Sequence, residues 1–152
     1  MGTRSVIALK TKQGWFGRYV HWDGYPQGVG AGVWHIVQRD GVGQAVKTLI
    51  TDNKSWSSIT ASHEKDDSEF RESLTWVSGY GFAHSDQEED WYITDADNEK
   101  GGAEYAYVLS MEGMEIFVVD YDGGISSRGF YQWGGTTPDF VVEAEALFGA
   151  SA

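Results

Sequence analysis

Tyr19-Val-His-Trp-Asp-Gly-Tyr-Pro-Gln-Gly-Val-Gly30 reads as a strand running into the start of a helix. Pro26 has the fixed φ suited to a first helical position. The backbone N–H groups after it belong to a helix end, where donors lack intrahelical partners and the dipole favours negative charge. Such a junction is a common place to hold an anion or a polar ligand. On an ideal strand Tyr19, His21 and Asp23 share one face, and Arg18, Val20 and Trp22 the other. The expected ligand-binding set is therefore Tyr19, His21, Asp23, Tyr25, Gly28 and Gly30. The alternative assignment of the same residues has His21 packed beside Tyr19 and the Asp23 side chain capping the helix.

Working outward, Ser5–Lys10 reads as a strand and Trp15–Trp22 as its hairpin partner across Lys12-Gln-Gly14. Downstream, Val29, Val33, Ile36 and Val37 lie at i, i+4, i+7 and i+8, the apolar stripe of a helix over about 26–40. Gly28, Gly30 and Gly32 weaken its first turns by about 1 kcal/mol each, so a close backbone or ligand approach is expected there. Gly41 ends this helix. A second helix carries Val42, Ala45, Val46, Leu49 and Ile50.

The middle of the chain is less regular. Trp56–Ala61, Leu74–Val77 and Trp91–Thr94 read as short strands, Gly79-Tyr-Gly81 and Asn98–Gly102 as turns, and Asp66–Glu72 as a helical turn. Glu104–Ser110 and Glu115–Tyr121 flank Met111-Glu-Gly113 as a hairpin. Phe130–Trp133 reads as another strand. Thr137-Pro138 opens a final helix, with Thr137 as cap and Phe140, Val141, Ala144, Leu147 and Phe148 as its buried face before Gly149. These elements predict an α+β fold: one domain over 1–152, an antiparallel sheet, and helices packed mainly on one face.

Composition sets the function classes. The 152 residues fit one domain, and a 41% hydrophobic share excludes a wholly disordered chain. The chain has no cysteine, which removes disulfides and thiolate metal sites. Neither a secretory signal nor a membrane span is read, so a cytoplasmic protein is expected. The formal charge is −12, split as +4 over residues 1–50 and −16 over the remainder. That balance argues against duplex nucleic acid, whose binding relies on phosphate neutralisation. It suits a solvated acidic surface or docking on a basic partner.

No motif names a reaction. His21 and Asp23 form the best catalytic candidate, an imidazole oriented by a carboxylate, but no G-x-S-x-G nucleophile elbow accompanies them; Thr3 as an N-terminal nucleophile would need removal of Met1 and Gly2. Gly28-Val-Gly-Ala-Gly32 fits neither the dinucleotide nor the P-loop pattern. The histidines at 21, 35, 63 and 84 lack metal-ligand spacing, and Asp95–Glu99 misplaces the glycine and glutamate of a calcium loop. No cofactor and no metal are implied.

Gly2-Thr-Arg-Ser5, His21-Trp-Asp-Gly-Tyr-Pro26, Gly28-Val-Gly30 and the hairpin strand Glu104-Tyr-Ala-Tyr107 together resemble a group of small proteins encoded by bacteriophages, many of them phages of actinobacteria. The match is distinctive over residues 2–30 and weaker over 103–121. The resemblance implies an accessory role during infection, such as counter-defence or redirection of a host protein, and carries no catalytic residue with it. The sequence-based expectation is thus a non-enzymatic binding protein whose partner is a host protein or a small anionic ligand. The alternatives are a small hydrolase using His21/Asp23 and a structural virion component.

Overall fold

The computed structural model describes residues 3–12, 14–65, 72–85, 93–94, 103–119 and 124–148. The chain begins with strands β1 (Ser5–Thr11) and β2 (Gly14–Val20), a tight antiparallel hairpin in register from Ser5↔Val20 to Thr11↔Gly14. A π-helical turn, Pro26–Gly30, then runs into α1 (Ala31–Asp40). Gly41 stops α1 with φ 85°, and α2 (Val42–Val46) continues into a second π-helical turn, Lys47–Thr51. Next come β3 (Ser55–Ile59), β4 (Leu74–Val77), β5 (Gly81–His84) and β6 (Ile93–Thr94). The chain closes with β7 (Tyr105–Leu109), β8 (Gly113–Val119), β9 (Ile125–Gln132) and α3 (Asp139–Phe148).

The fold is α+β, but the sheet is mixed rather than antiparallel. Its order is β4-β5-β3-β2-β1-β7-β8-β9, with β6 pairing to β2. Most neighbours are antiparallel; β2/β3 and β1/β7 are parallel. Parallel neighbours need a long crossover connection. For β2 and β3 that crossover is the entire helical segment from Pro26 to Thr51, a βαβ unit embedded in a meander.

The cause lies in burial. Val6 and Ala8 face one core cluster and Ile7 the other; on β7, Ala106 and Val108 face the first and Tyr107 and Leu109 the second. Strands buried on both faces carry near-continuous apolar runs, as Val6-Ile-Ala-Leu9 does. The larger cluster joins Ile7, Val20, Trp56, Tyr107 and Leu109 to the helical residues Val29, Val33, Ile36, Leu49 and Val141. The smaller one holds Val6, Ala8, Trp15, Tyr19, Ala106 and Val108. The apolar stripe of α1 is realised: Val29, Val33, Ile36 and Val37 are all buried.

Several local expectations change. The segment after Gly79-Tyr-Gly81 is itself a strand, β5, pairing with both β3 and β4. Strand β9 begins at Ile125 rather than near Phe130. On α3, which packs against the Pro26–Gly30 turn and α1, Phe140, Val141 and Ala144 are buried, but Leu147 is 68% exposed. The segments 66–71, 91–92 and 95–102, the Phe148 side chain and Gly149 lie outside what is described. So do the expectations for a helical turn and a calcium-like loop that fall on them.

Candidate functional site

After Val20 the chain leaves β2 but keeps following β3: the N–H of His21 donates to Trp56 O and that of Trp22 to Ser57 O, both at 3.0 Å. Asp23 then turns the chain, with φ 56°, the one positive φ among the described non-glycine residues. Left-handed backbone costs a side-chain-bearing residue about 1–2 kcal/mol, least for Asn and Asp. Tertiary bonds hold it. The Gly24 N–H donates to Thr3 O at 2.8 Å, and the buried Tyr107 hydroxyl donates to Gly24 O.

The six expected ligand residues do not come together: Tyr19 and His21 lie in one place, Asp23, Tyr25 and Gly28 in another, and Gly30 in the core. Tyr19 packs in the smaller core cluster. Its hydroxyl lies 2.8 Å from His21 Nδ1. Burial pushes the Tyr19 phenol pKa up, against a smaller opposing pull from Arg4. The His21 ring meets the exposed Trp22 edge-on at 4.6 Å. Among the described residues no hydrogen bond joins His21 to Asp23. Strict alternation put them on one face, and the left-handed turn at Asp23 ends that alternation.

Asp23, Tyr25 and Gly28 lie together elsewhere. They line a cleft of about 250 Å³ between the start of the helical segment, the end of β3 and α3. The Tyr25 hydroxyl donates to Asp23 Oδ1 at 3.3 Å. Burial, then the Asp23 charge and this bond, raise the Tyr25 pKa, so the phenol keeps its proton. Gly28 is required by contact: a Cβ there would sit 2.2 Å from Asp23 O. Gly30 instead faces the core, where a Cβ would be 3.0 Å from Tyr107 Cε1. The close approach implied by the glycines is thus backbone and core packing.

Two N–H groups of the helix start are taken up by the backbone. The Gly28 N–H donates to Tyr25 O at 2.9 Å and the Val29 N–H to Asp23 O at 2.8 Å. The residue preceding the π-helical turn is Tyr25, and no side chain caps it. The Asp23 backbone carbonyl, rather than its carboxylate, satisfies the first turn, which leaves the carboxylate directed to Tyr25 and the cleft.

The rest of the cleft was not singled out from sequence. Gly32 and His35 continue the Gly28 face of the helical segment, Thr60 and Ser62 follow β3, and Glu145 comes from α3. The spacing 28, 32, 35 is a single helical face and was a readable signal for His35. Thr60, Ser62 and Glu145 are brought in only by the β2/β3 crossover and by α3 docking. In open sheets, ligands favour the crevice outside the carboxyl ends of parallel strands. The cleft occupies that position for β2 and β3.

One wall is clamped from behind. Arg39 donates to Ala61 O at 2.7 Å and to Gly79 O at 2.9 Å, and it grips Asp40 through two contacts of 2.8 and 2.9 Å. Asp40 also accepts the Tyr80 hydroxyl at 2.6 Å. The guanidinium and the phenol hold the Asp40 carboxyl down to about 2. This clasp pins the 60–62 loop to the end of α1. A separate pair, Ser55 Oγ and His84 Nδ1 at 2.8 Å, links β3 to β5 and does not line the cleft.

Among the described residues, no three or more His, Cys, Asp or Glu side chains group closely enough to hold a metal ion, and no helix is long and apolar enough to cross a membrane. No family model matches the chain, and no curated protein and no solved structure matches it significantly.

Proposed function

We propose that this is a non-enzymatic binding protein whose ligand site is the cleft at the carboxyl ends of β2 and β3. The observation that carries this reading is the placement of Asp23. A strained residue persists only where its surroundings over-determine it, and such residues cluster at ligand sites. Here the strain presents a carboxylate to a crevice at the βαβ unit. With helices mainly against one face, as we read the fold, this crevice opens between those helices and the sheet. The phage-type resemblance of residues 2–30 supports an accessory, counter-defence role in the host cytoplasm.

Of the two ligand routes, a host protein and a small anion, the cleft favours the protein partner. Asp23 and Glu145 line it, no Lys or Arg does among the described residues, and the Gly28 and Val29 N–H groups are already bonded. The test is mass spectrometry of material co-purifying with the protein and with a His35→Trp variant. His35 is half-buried on the cleft side of α1, so the indole fills the cleft and leaves the buried stripe intact. A partner or small molecule retained by the wild type and lost by the variant supports the reading. Equal retention by both, or product formation over multiple turnovers, overturns it.

A further inference from the structure

A second depression, about 230 Å³, adjoins the cleft and shares Asp23, Ile59 and Thr60 with it; its remaining wall carries Glu64, Trp76 and Phe82. The Trp76 and Phe82 rings lie 5.0 Å apart at 54°; Phe82 is buried and Trp76 half-buried, so the aromatic surface that this hollow offers is mainly that of Trp76. The two hollows together present Asp23, Glu64 and Glu145, the Tyr25 hydroxyl and aromatic surface, with no Lys or Arg among the described lining residues. Arg39, whose guanidinium holds the loop at Ala61, is committed to Asp40 and to two carbonyls.

We infer that the paired hollows bind alkylammonium groups, one on each side of Asp23: a diammonium ligand, either a free polyamine or two lysine side chains of a partner protein. This rests on the cleft being the ligand site. Aromatic faces and carboxylates are the two attractive elements for an ammonium ion, and the apolar stretch formed by Ile59 suits a methylene stem. Separated carboxylates with aromatic walls discriminate against a metal ion, which needs convergent ligands; the described residues hold no such cluster. The formal charges on the described lining, Asp23, Glu64 and Glu145, repel an anion.

The test is a ¹⁵N–¹H titration of the full chain with cadaverine, butylammonium, butanol, inorganic phosphate and an end-capped Lys-Ala-Lys peptide. Cadaverine or the peptide should give saturable shifts at Gly28, Gly32 and Thr60. Binding should weaken about tenfold or more in an Asp23→Asn/Glu145→Gln variant, since each carboxylate lost removes a hydrogen bond between ions. Both substitutions are compatible with the fold: Asn tolerates the left-handed conformation, and Glu145 is exposed. The Glu64→Gln variant should weaken cadaverine more than butylammonium. Tighter binding of the peptide than of cadaverine identifies a protein source, and the reverse a free polyamine. Saturable shifts at the same amides from butanol or phosphate, or unchanged affinity in the double variant, overturn the ammonium assignment while leaving the cleft as a site. No saturable shift from any probe overturns both.

Discussion

Replacing Asp23 with glycine and with alanine tests whether the strain assigned to this turn is real. At φ 56° any residue with a Cβ is penalised by about 1–2 kcal/mol relative to glycine. Glycine escapes that penalty but gains freedom in the unfolded chain worth about 0.5–1 kcal/mol. It also gives up the Tyr25–Asp23 bond, an exposed contact of 3.3 Å that contributes at most a few tenths of about 1 kcal/mol. The Asp23→Gly protein should therefore be as stable as the wild type or up to about 1 kcal/mol more stable. Alanine keeps the strain and lacks the local hydrogen bonding that eases Asp into this region, so Asp23→Ala should lose about 1 kcal/mol. The two variants then differ by about 1–2 kcal/mol, or roughly 2–8 °C in Tm for a chain of this size. Urea denaturation with a common m-value is the assay. Equal midpoints for the two would refute the strain argument. If the carboxylate is what the strain presents, the glycine variant should also be stable yet defective in ligand binding, and retained binding would separate strain from function.

Gly28→Ala should destabilise by about 1–3 kcal/mol, because the new Cβ would fall 2.2 Å from Asp23 O; Gly43→Ala, with nothing within 4 Å, should instead stabilise α2 by about 0.5–1 kcal/mol, and the pair can be compared by chemical denaturation. Asp40, held down to about 2, contributes stability that is fully present above its unfolded value near 4 and is lost as pH falls through the folded value. Between about pH 4 and pH 2 the Asp40→Asn variant should accordingly show a shallower fall in denaturation midpoint than the wild type, and equal slopes would remove the clasp from the account of acid stability. Ser5 is fully buried and its hydroxyl has no partner among the described residues, so Ser5→Ala should leave Tm unchanged or raise it, and a marked loss would show that the hydroxyl is bonded.

Where one side chain's neighbours in sequence determine its environment, the chain could be read directly. The Val29–Val37 stripe, the Gly41 stop, the β1/β2 and β7/β8 hairpins and the close approach at Gly28 are all local, set by helical or strand periodicity and by turn chemistry. The mixed sheet was only half visible. Val6-Ile-Ala-Leu9 lacks polar alternation, the mark of a strand buried on both faces, yet nothing within a strand says which distant strand will lie beside it. The pairing of Ser5 with Tyr105 and of Tyr19 with Ser55 is chosen by how the whole chain buries its apolar surface.

The site divides along the same line. Asp23, Tyr25 and Gly28 stand close in sequence and stay together in space. Tyr19 and His21 were grouped with them by extrapolating a period-two alternation past the end of β2, and one left-handed residue breaks that extrapolation. Glu145, Thr60 and Trp76 reach Asp23 through helix docking and strand crossover, across separations that no local pattern encodes. The sequence by itself determined which short segments become helix, hairpin and turn, because backbone sterics and periodicity act over a few residues. Which carboxylates share a cleft was decided only in the tertiary structure, because the free energy that brings them together is the burial of Val33, Trp56 and Tyr107 in a common core, to which the carboxylates themselves contribute nothing.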